Sequence, residues 1–151
     1  MHKILFICHG NICRSPMAEF LLKDMVAKRG IASQFDIASA ATSREEIGNP
    51  VHHGTRKKLA QFGISVAGKT ARQMTRRDYE NYDYIIAMDR NNLRNIDRII
   101  GSDEYNKVSL LLDFAGRNGQ SIADHWYTGD FDITYDDIKE GLDGFLEYLG
   151  Y

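Results

Sequence analysis

The chain has few cysteines and no long hydrophobic run, and each of these two shortages excludes a class of protein. Its 151 residues include 2 cysteines and 2 prolines. Cys8 and Cys13 lie too close together for a disulfide framework, so we expect free thiols and a reduced cytoplasmic protein. No segment approaches the roughly 18 apolar residues of a membrane span. The apolar run at the N-terminus is also too short for a signal peptide.

Neither sign of charge is in marked excess. The 19 Lys and Arg residues face 21 Asp and Glu residues, for a formal net charge of −2. Without a basic field, neither nucleic acid nor an anionic membrane surface is an expected partner. The adjacent His52 and His53 are a poor metal pair, so no metal is expected. The length fits one domain over residues 1–151.

Strand and helix patterns alternate along the chain. Apolar stretches predict strands at 3–8, 35–40, 84–88 and 108–112. Amphipathic spacing and turn residues predict helices over 16–29, 51–62, 75–80, 90–100 and from about 130 onwards. The alternation predicts an α/β fold with a parallel sheet covered by helices on both faces. Ligands bind such sheets beyond the carboxyl ends of the strands, where Cys8, Asp89 and the 113–129 connection are expected.

A thiol and a guanidinium bracket the tight loop after the first strand. Cys8 ends that strand, and Ser15 followed by Pro16 predicts a helix start with Ser15 as its N-cap. The free N–H groups of a helix N-terminus bind anions. Gly10 and Asn11 adopt left-handed backbone conformations most easily, which would turn successive N–H groups toward one point. With Arg14, these donors favour the Cys8 thiolate, so the loop combines a nucleophile with an oxyanion site.

The chain resembles the low-molecular-weight protein tyrosine phosphatases in five segments that follow the family's order. The most specific is Cys-His-Gly-Asn-Ile-Cys-Arg-Ser-Pro-Met-Ala-Glu at residues 8–19. The others lie within residues 39–50, 71–73, 82–89 and 124–129. The resemblance implies a single-domain three-layer sandwich whose four-stranded parallel sheet has the order 2-1-3-4.

The resemblance also implies a two-step hydrolysis of phosphotyrosine. Cys8 would attack phosphorus to form a phosphocysteine, and Asp124 would act first as general acid and then as general base. Arg14 and the loop amides would bind the phosphate oxygens. The phosphate-binding loop would consist of His9, Gly10, Asn11, Ile12, Cys13, Arg14 and Ser15.

Further residues receive supporting roles by the same resemblance. Ser15 would donate a hydrogen bond to the Cys8 thiolate, and Asn11, bonded to Ser39, would hold the loop. Cys13 would trap oxidised Cys8 as a reversible disulfide. The implied partners are tyrosine-phosphorylated proteins, with inorganic phosphate or vanadate as inhibitors and no cofactor. The chain would be a monomer or a weak homodimer.

Three positions depart from the family pattern. His125 replaces the proline that follows the acid, and Lys69 stands where many members carry a histidine behind the loop. Glu45 occupies a position that often holds a pocket-lining Trp or Tyr. Trp126 and Tyr127 are expected to supply an aromatic wall for the substrate ring. A carboxylate at Glu45 favours a basic residue beside the phosphotyrosine.

Several alternatives remain open at this point. Asp113, Asp130 and Asp132 rival Asp124 as the acid, and Asp89 is better explained as a helix cap than as a catalytic group.

Other functions are also open on the same loop. Protein-arginine phosphatases resemble this chain but carry Thr in the loop where this chain has Ile12. The aliphatic side chain of Ile12 would crowd a guanidinium but pack well against an aryl ring, which favours phosphotyrosine. An arsenate reductase would need cysteines beyond the loop. A non-catalytic phosphotyrosine-binding module would not need the thiolate and the acid together.

Overall fold

Four parallel strands form the sheet at the centre of the fold. They are β1 (His2–Cys8), β2 (Phe35–Ala41), β3 (Tyr84–Ala87) and β4 (Val108–Leu110), in the order β2-β1-β3-β4. Every neighbouring pair is parallel. The computed structural model describes residues 1–124 and 130–151. The α/β class and the predicted strand order 2-1-3-4 are confirmed.

Helices cover both faces of this sheet. They are α1 (Arg14–Lys28), α2 (His53–Ala60), α3 (Arg76–Asn81), α4 (Arg90–Ile100) and α5 (Phe131–Tyr148). Ile4 and Phe6 of β1 belong to the cluster that includes α1, α2 and α5, whereas Leu5 and Ile7 pack with α3 and α4. All four side chains are fully buried. A strand covered on both faces explains the uninterrupted apolar run in the sequence.

The first helix differs from its prediction at the residue that matters for the site. α1 begins at Arg14, with Cys13 at the N-cap position and no side-chain capping bond. The prediction that Ser15 is the N-cap is therefore wrong. Its hydroxyl lies 3.0 Å from the Cys8 sulfur. The Ser15 side chain therefore faces the Cys8 thiol in the loop and does not cap the helix.

Smaller differences in bounds have local causes. β4 ends at Leu110, and the predicted end of the strand, residues 111–112, instead begins a 3-10 turn over Leu111–Ala115. α2 is shorter than predicted because His52 caps it, its Nδ1 accepting from the Gly54 N–H at 3.2 Å. The imidazoles of His52 and His53 lie 4.3 Å apart, since only His53 is helical.

The carboxyl ends of the strands bring four segments to one edge of the sheet. Cys8 ends β1 opposite Ala41 of β2, and the Thr42 N–H donates to the Cys8 carbonyl at 3.0 Å. Asp89 follows β3 and is the N-cap of α4. The irregular segment before α3 joins this edge through a bridge between Ala41 and Gln73. Across 1–124 and 130–151, none of the helices combines the length and apolarity that crossing a bilayer requires.

Candidate active site

The loop between β1 and α1 directs hydrogen-bond donors at the Cys8 sulfur. Cys8 is 3% exposed, and its Sγ lies 3.3 Å from the Asn11 backbone nitrogen, which donates to it. Asn11 has a φ of 59°, the left-handed conformation predicted for it. Gly10, predicted to share that conformation, has no positive φ. Instead, a Cβ at Gly10 would lie 3.3 Å from Glu46 Cγ, so the absence of a side chain lets Glu46 pack closely against the loop.

The Asn11 side chain holds the loop through three hydrogen bonds. Its Nδ2 donates to Ser15 Oγ at 2.8 Å and to Ser39 Oγ at 2.9 Å. Its Oδ1 accepts from the Arg72 backbone N–H at 3.2 Å, which fixes the orientation of the amide. The structure thus brings together Asn11, Ser15 and Ser39, the three residues predicted to support the loop.

The neighbouring hydrogen bonds leave the Ser15 hydroxyl hydrogen available to the sulfur. Ser39 donates its hydroxyl hydrogen to Glu19 Oε1 at 2.5 Å, so it accepts from Asn11. Because Asn11 uses its second amide hydrogen on Ser15, Ser15 keeps its own hydrogen for Cys8.

Glu19 is the residue of this network that the sequence analysis missed. It is 4% exposed and is held by Lys23 Nζ at 2.6 Å and Lys69 Nζ at 3.8 Å. Lys69 also donates to the Ser39 carbonyl at 3.0 Å. Burial lowers the pKa of Lys69, although the Glu19 carboxylate opposes that shift. The available signal was spacing, since Glu19 follows Ser15 by one helical turn and shares its side of α1.

Arg14 lies buried beside the sulfur in a fixed orientation. Its Nη1 donates to Asp89 Oδ2 at 2.7 Å and to the Ile122 carbonyl at 2.9 Å. Its Nε is buried and has no hydrogen-bond partner among the described residues. Burial alone would lower the pKa of Arg14, but Cys8 and Asp89 outweigh it and the pKa is raised. The guanidinium is therefore a permanent, oriented cation.

Asp89 has two functions, of which the sequence predicted one. Its Oδ1 caps α4 by accepting from the Asn92 N–H at 2.7 Å, as expected. Its Oδ2 binds Arg14, a contact that the sequence analysis did not foresee. The end of β3 thus positions Arg14, which ends the loop after β1.

Asp124 reaches the same site, whereas its three rivals do not. Its Oδ2 lies 3.8 Å from Arg14 Nη2, and its side chain is 46% exposed. Asp113 accepts from the Gly119 N–H within its own turn. Asp130 caps α5, and Asp132 pairs with Lys58. Trp126 and Tyr127, predicted to supply an aromatic wall for the substrate ring, lie outside the described residues, as does His125.

A cavity of about 200 Å³ opens above the loop. His9 and Glu45 stand at its mouth, with His9 Nε2 3.1 Å from Glu45 Oε2. The structure thus places Glu45 at the pocket, where the resemblance put it. The lining is Cys8, His9, Gly10, Ile12, Cys13, Glu45, Glu46 and Asp124.

The second thiol has a different environment from the first. Cys13 is free, is 6% exposed and packs with Ile12, Ala71 and Phe131. Burial, and then the charges of Asp124 and Cys8, raise the pKa of Cys13 to about 12. Cys13 is therefore a protonated thiol at neutral pH. Over the described ranges, no cluster of His, Cys, Asp and Glu could hold a metal ion.

Comparison with known proteins agrees with this arrangement. The family model described as low molecular weight phosphotyrosine protein phosphatase matches residues 3–150. The chain is 39% identical over 147 residues to the low molecular weight protein-tyrosine-phosphatase YfkJ of Bacillus subtilis, covering 97% of this chain and 94% of that protein. The human low molecular weight phosphotyrosine protein phosphatase is 35% identical over 150 residues, covering 95% and 93%.

Solved structures show the same likeness. The crystal structure of YfkJ superposes with a TM-score of 0.94 at 38% identity, covering 99% of this chain and 95% of that one. The Drosophila arginine phosphatase superposes with a TM-score of 0.89 at 31% identity, covering 99% and 98%. A family match over nearly the whole chain, on a site with this geometry, decides the assignment: the chain belongs to the low-molecular-weight phosphotyrosine protein phosphatases.

Proposed function

We propose that this phosphatase hydrolyses phosphotyrosine, in proteins and in small aryl phosphates, through a phosphocysteine intermediate. One observation carries the proposal. The Cys8 sulfur receives donors from Ser15 and Asn11 in the same cavity that Asp124 lines, with Arg14 beside it. A nucleophile, a cationic anion-binding group and a proton donor are thus within reach of one phosphoryl group.

In the first step the Cys8 thiolate attacks phosphorus. A sulfur–phosphorus bond forms, the bond to the phenolic oxygen breaks, and Asp124 gives its proton to that oxygen. The loop amides and the buried Arg14, including its Nε, bind the equatorial oxygens. Because these donors are already oriented, they need little rearrangement as charge develops.

In the second step a water replaces the thiolate. Asp124 is now a carboxylate and takes a proton from the water while the water oxygen bonds to phosphorus. The sulfur–phosphorus bond breaks, and inorganic phosphate and the Cys8 thiolate are released. Ser15 stabilises that leaving sulfur through the hydrogen bond directed by Asn11.

Turnover of p-nitrophenyl phosphate and of a phosphotyrosine peptide tests the mechanism. Cys8→Ser should abolish turnover, and Asp124→Asn should lower kcat by about 10²- to 10⁴-fold, the usual contribution of a general acid. Mass spectrometry of acid-quenched Asp124→Asn should detect phosphate on the Cys8 peptide.

Asp113→Asn is the matched control, because Asp113 accepts a hydrogen bond from the Gly119 N–H and does not line the cavity. Its turnover should equal that of wild type. Turnover that survives Cys8→Ser would exclude the covalent route. A wild-type protein that binds the peptide without cleaving it would instead be a phosphotyrosine-binding module.

Hydrolysis of phosphoarginine is the second candidate, favoured by the likeness to the Drosophila arginine phosphatase. Against it stands Ile12, whose aliphatic side chain lines the cavity and packs with Phe131. We expect wild type to prefer phosphotyrosine peptides over phosphoarginine peptides in kcat/KM, and Ile12→Thr to narrow that ratio. A wild-type preference for phosphoarginine would replace phosphotyrosine as the substrate.

The remaining functional properties follow from the same site. We propose inhibition by phosphate and vanadate as tetrahedral oxyanions, and a reversible Cys8–Cys13 disulfide after oxidation. The free thiols suit a reducing cytoplasm. A monomer or weak homodimer is proposed, which sedimentation would measure.

A further inference from the structure

The mouth of the active-site cavity is acidic, although the loop at its floor is the proposed binding site of an anion. Of the described residues that line the cavity, three carry carboxylates, Glu45, Glu46 and Asp124. His9 is the only lining residue among them whose side chain can become a cation. Arg14, which lies outside this lining, is 3% exposed and is already bound by Asp89.

The two glutamates are held at the mouth from different directions. Glu45 Oε2 bonds to His9 Nε2 at 3.1 Å, and its side chain is 69% exposed. Glu46 places its Cγ close to Gly10, while its Oε2 accepts from Asn49 Nδ2 at 2.6 Å. Both carboxylates are thus tied to the rim, and Glu45 also meets solvent, where the residues flanking a phosphotyrosine must pass.

A rim of this charge discriminates between peptides that carry the same phosphotyrosine. The phosphoryl group is attracted by the floor in every substrate. An acidic flanking residue meets like charge at Glu45 and Glu46, whereas Lys or Arg finds a partner there. Each exposed ion pair contributes little free energy. The discrimination is therefore a ratio of rates among peptides and not an all-or-none choice.

We propose that Glu45 and Glu46 select phosphotyrosine residues flanked by Lys or Arg and disfavour those flanked by Asp or Glu. The proposal rests on the phosphotyrosine hydrolysis proposed above and adds the sequence context of the substrate. Glu45 is the principal determinant because it is more exposed than Glu46 and bridges the phosphate loop to the segment after β2.

Three phosphotyrosine peptides test this, identical except for Lys, Ala or Glu on both sides of the phosphotyrosine. For wild type at low salt, kcat/KM should fall in the order Lys, Ala, Glu. The Lys-to-Glu ratio should be about tenfold, as expected for two or three exposed charge contacts. The ratio should shrink toward 1 as NaCl is raised to 0.5 M, where the Debye length is only about 4 Å.

Variants assign the ratio to the rim. Glu45→Gln should lower the Lys-to-Glu ratio, and Glu45→Lys should invert the order. Glu147→Gln, at an exposed glutamate of α5 outside the cavity lining, should keep the wild-type ratio. Melting temperatures measured alongside check that each variant is folded.

The outcomes separate this proposal from the function on which it rests. If all three peptides are cleaved at equal rates, or if Glu45→Lys leaves the order unchanged, the acidic rim does not select substrates although the phosphatase mechanism stands. If none of the peptides is cleaved, phosphotyrosine hydrolysis itself is wrong. A ratio that persists at high salt would also overturn the proposal, because it would not be electrostatic.

Discussion

Two thiols in one loop lie in opposite environments. Cys8 receives hydrogen bonds from the Asn11 N–H and the Ser15 hydroxyl, while burial and nearby negative charge raise the pKa of Cys13 to about 12. With that pKa, a fraction of only about 10⁻⁵ of Cys13 is thiolate at pH 7. Raising the pH toward 12 would ionise it, and lowering the pH cannot.

We therefore expect iodoacetamide at pH 7 to alkylate Cys8 and leave Cys13 unmodified in the folded protein. Peptide mass spectrometry should find one adduct, and inorganic phosphate should slow its formation by occupying the loop. Cys8→Ser should remain unlabelled until it is denatured. Equal labelling of both cysteines, or no protection by phosphate, would contradict this picture of the loop.

Glu45 also lines the cavity in which the aryl ring of the substrate is proposed to bind. Replacing it with tyrosine supplies a stacking surface, and aromatic pairs contribute about 0.5–1.5 kcal/mol beyond buried area. Glu45→Tyr should raise kcat/KM for p-nitrophenyl phosphate by about 2- to 10-fold. Glu147→Tyr on α5 controls for an added aromatic group elsewhere. Unchanged kinetics for Glu45→Tyr would mean that residue 45 does not contact the bound ring.

At the scale of the element, the phosphate loop depends on Asn11 for both its backbone and its hydrogen bonds. Asn11 combines a φ of 59° with bonds to Ser15, Ser39 and the Arg72 N–H. Asn11→Gly removes the side-chain hydrogen bonds, but glycine still adopts the left-handed backbone conformation easily. Asn11→Ala also removes these bonds, and holding alanine in the left-handed conformation costs about 1–2 kcal/mol more.

Both Asn11 variants should lower kcat, since Ser15 loses the donor that directs its proton to Cys8. Thermal unfolding should rank wild type above Asn11→Gly and Asn11→Gly above Asn11→Ala. If the two variants melt together, the positive φ carries no cost. If kcat is unchanged in both, the network does not act on the sulfur.

The sequence predicted elements better than it predicted side-chain partners. Continuous apolar runs such as residues 4–7 are typical of strands buried on both faces, and they predicted the sheet correctly. Ser15 was wrongly predicted as the N-cap because a serine before a proline is typical of a cap, whereas the resemblance had correctly paired it with Cys8. Glu19 was missed because a lone glutamate on a helix normally faces solvent.

Across the whole molecule, α5 closes the face of the sheet that carries α1. Two of its glycines face the 3-10 turn Leu111–Ala115 that follows β4. A Cβ at Gly141 would lie 2.5 Å from Leu111 Cγ, and one at Gly144 would lie 2.0 Å from the Phe114 carbonyl oxygen. The missing side chains let the last helix approach the backbone leading from the final strand, at the far end of the chain from Cys8.

Gly144→Ala should therefore destabilise the fold. Alanine would gain about 1 kcal/mol in helix propensity, but overpacking against a rigid carbonyl costs about 1–3 kcal/mol, and a contact this short puts the cost at the upper end. We expect a melting temperature lower by about 3–8 °C for a chain of this length. The exposed-site control Glu147→Ala should melt close to wild type.

Turnover at 20 °C should be retained in Gly144→Ala, because β1 and α1 carry the phosphate loop. A variant that melts at or above wild type would show that the helix has room to move away, and a loss of turnover without a loss of stability would show that α5 acts on the site directly.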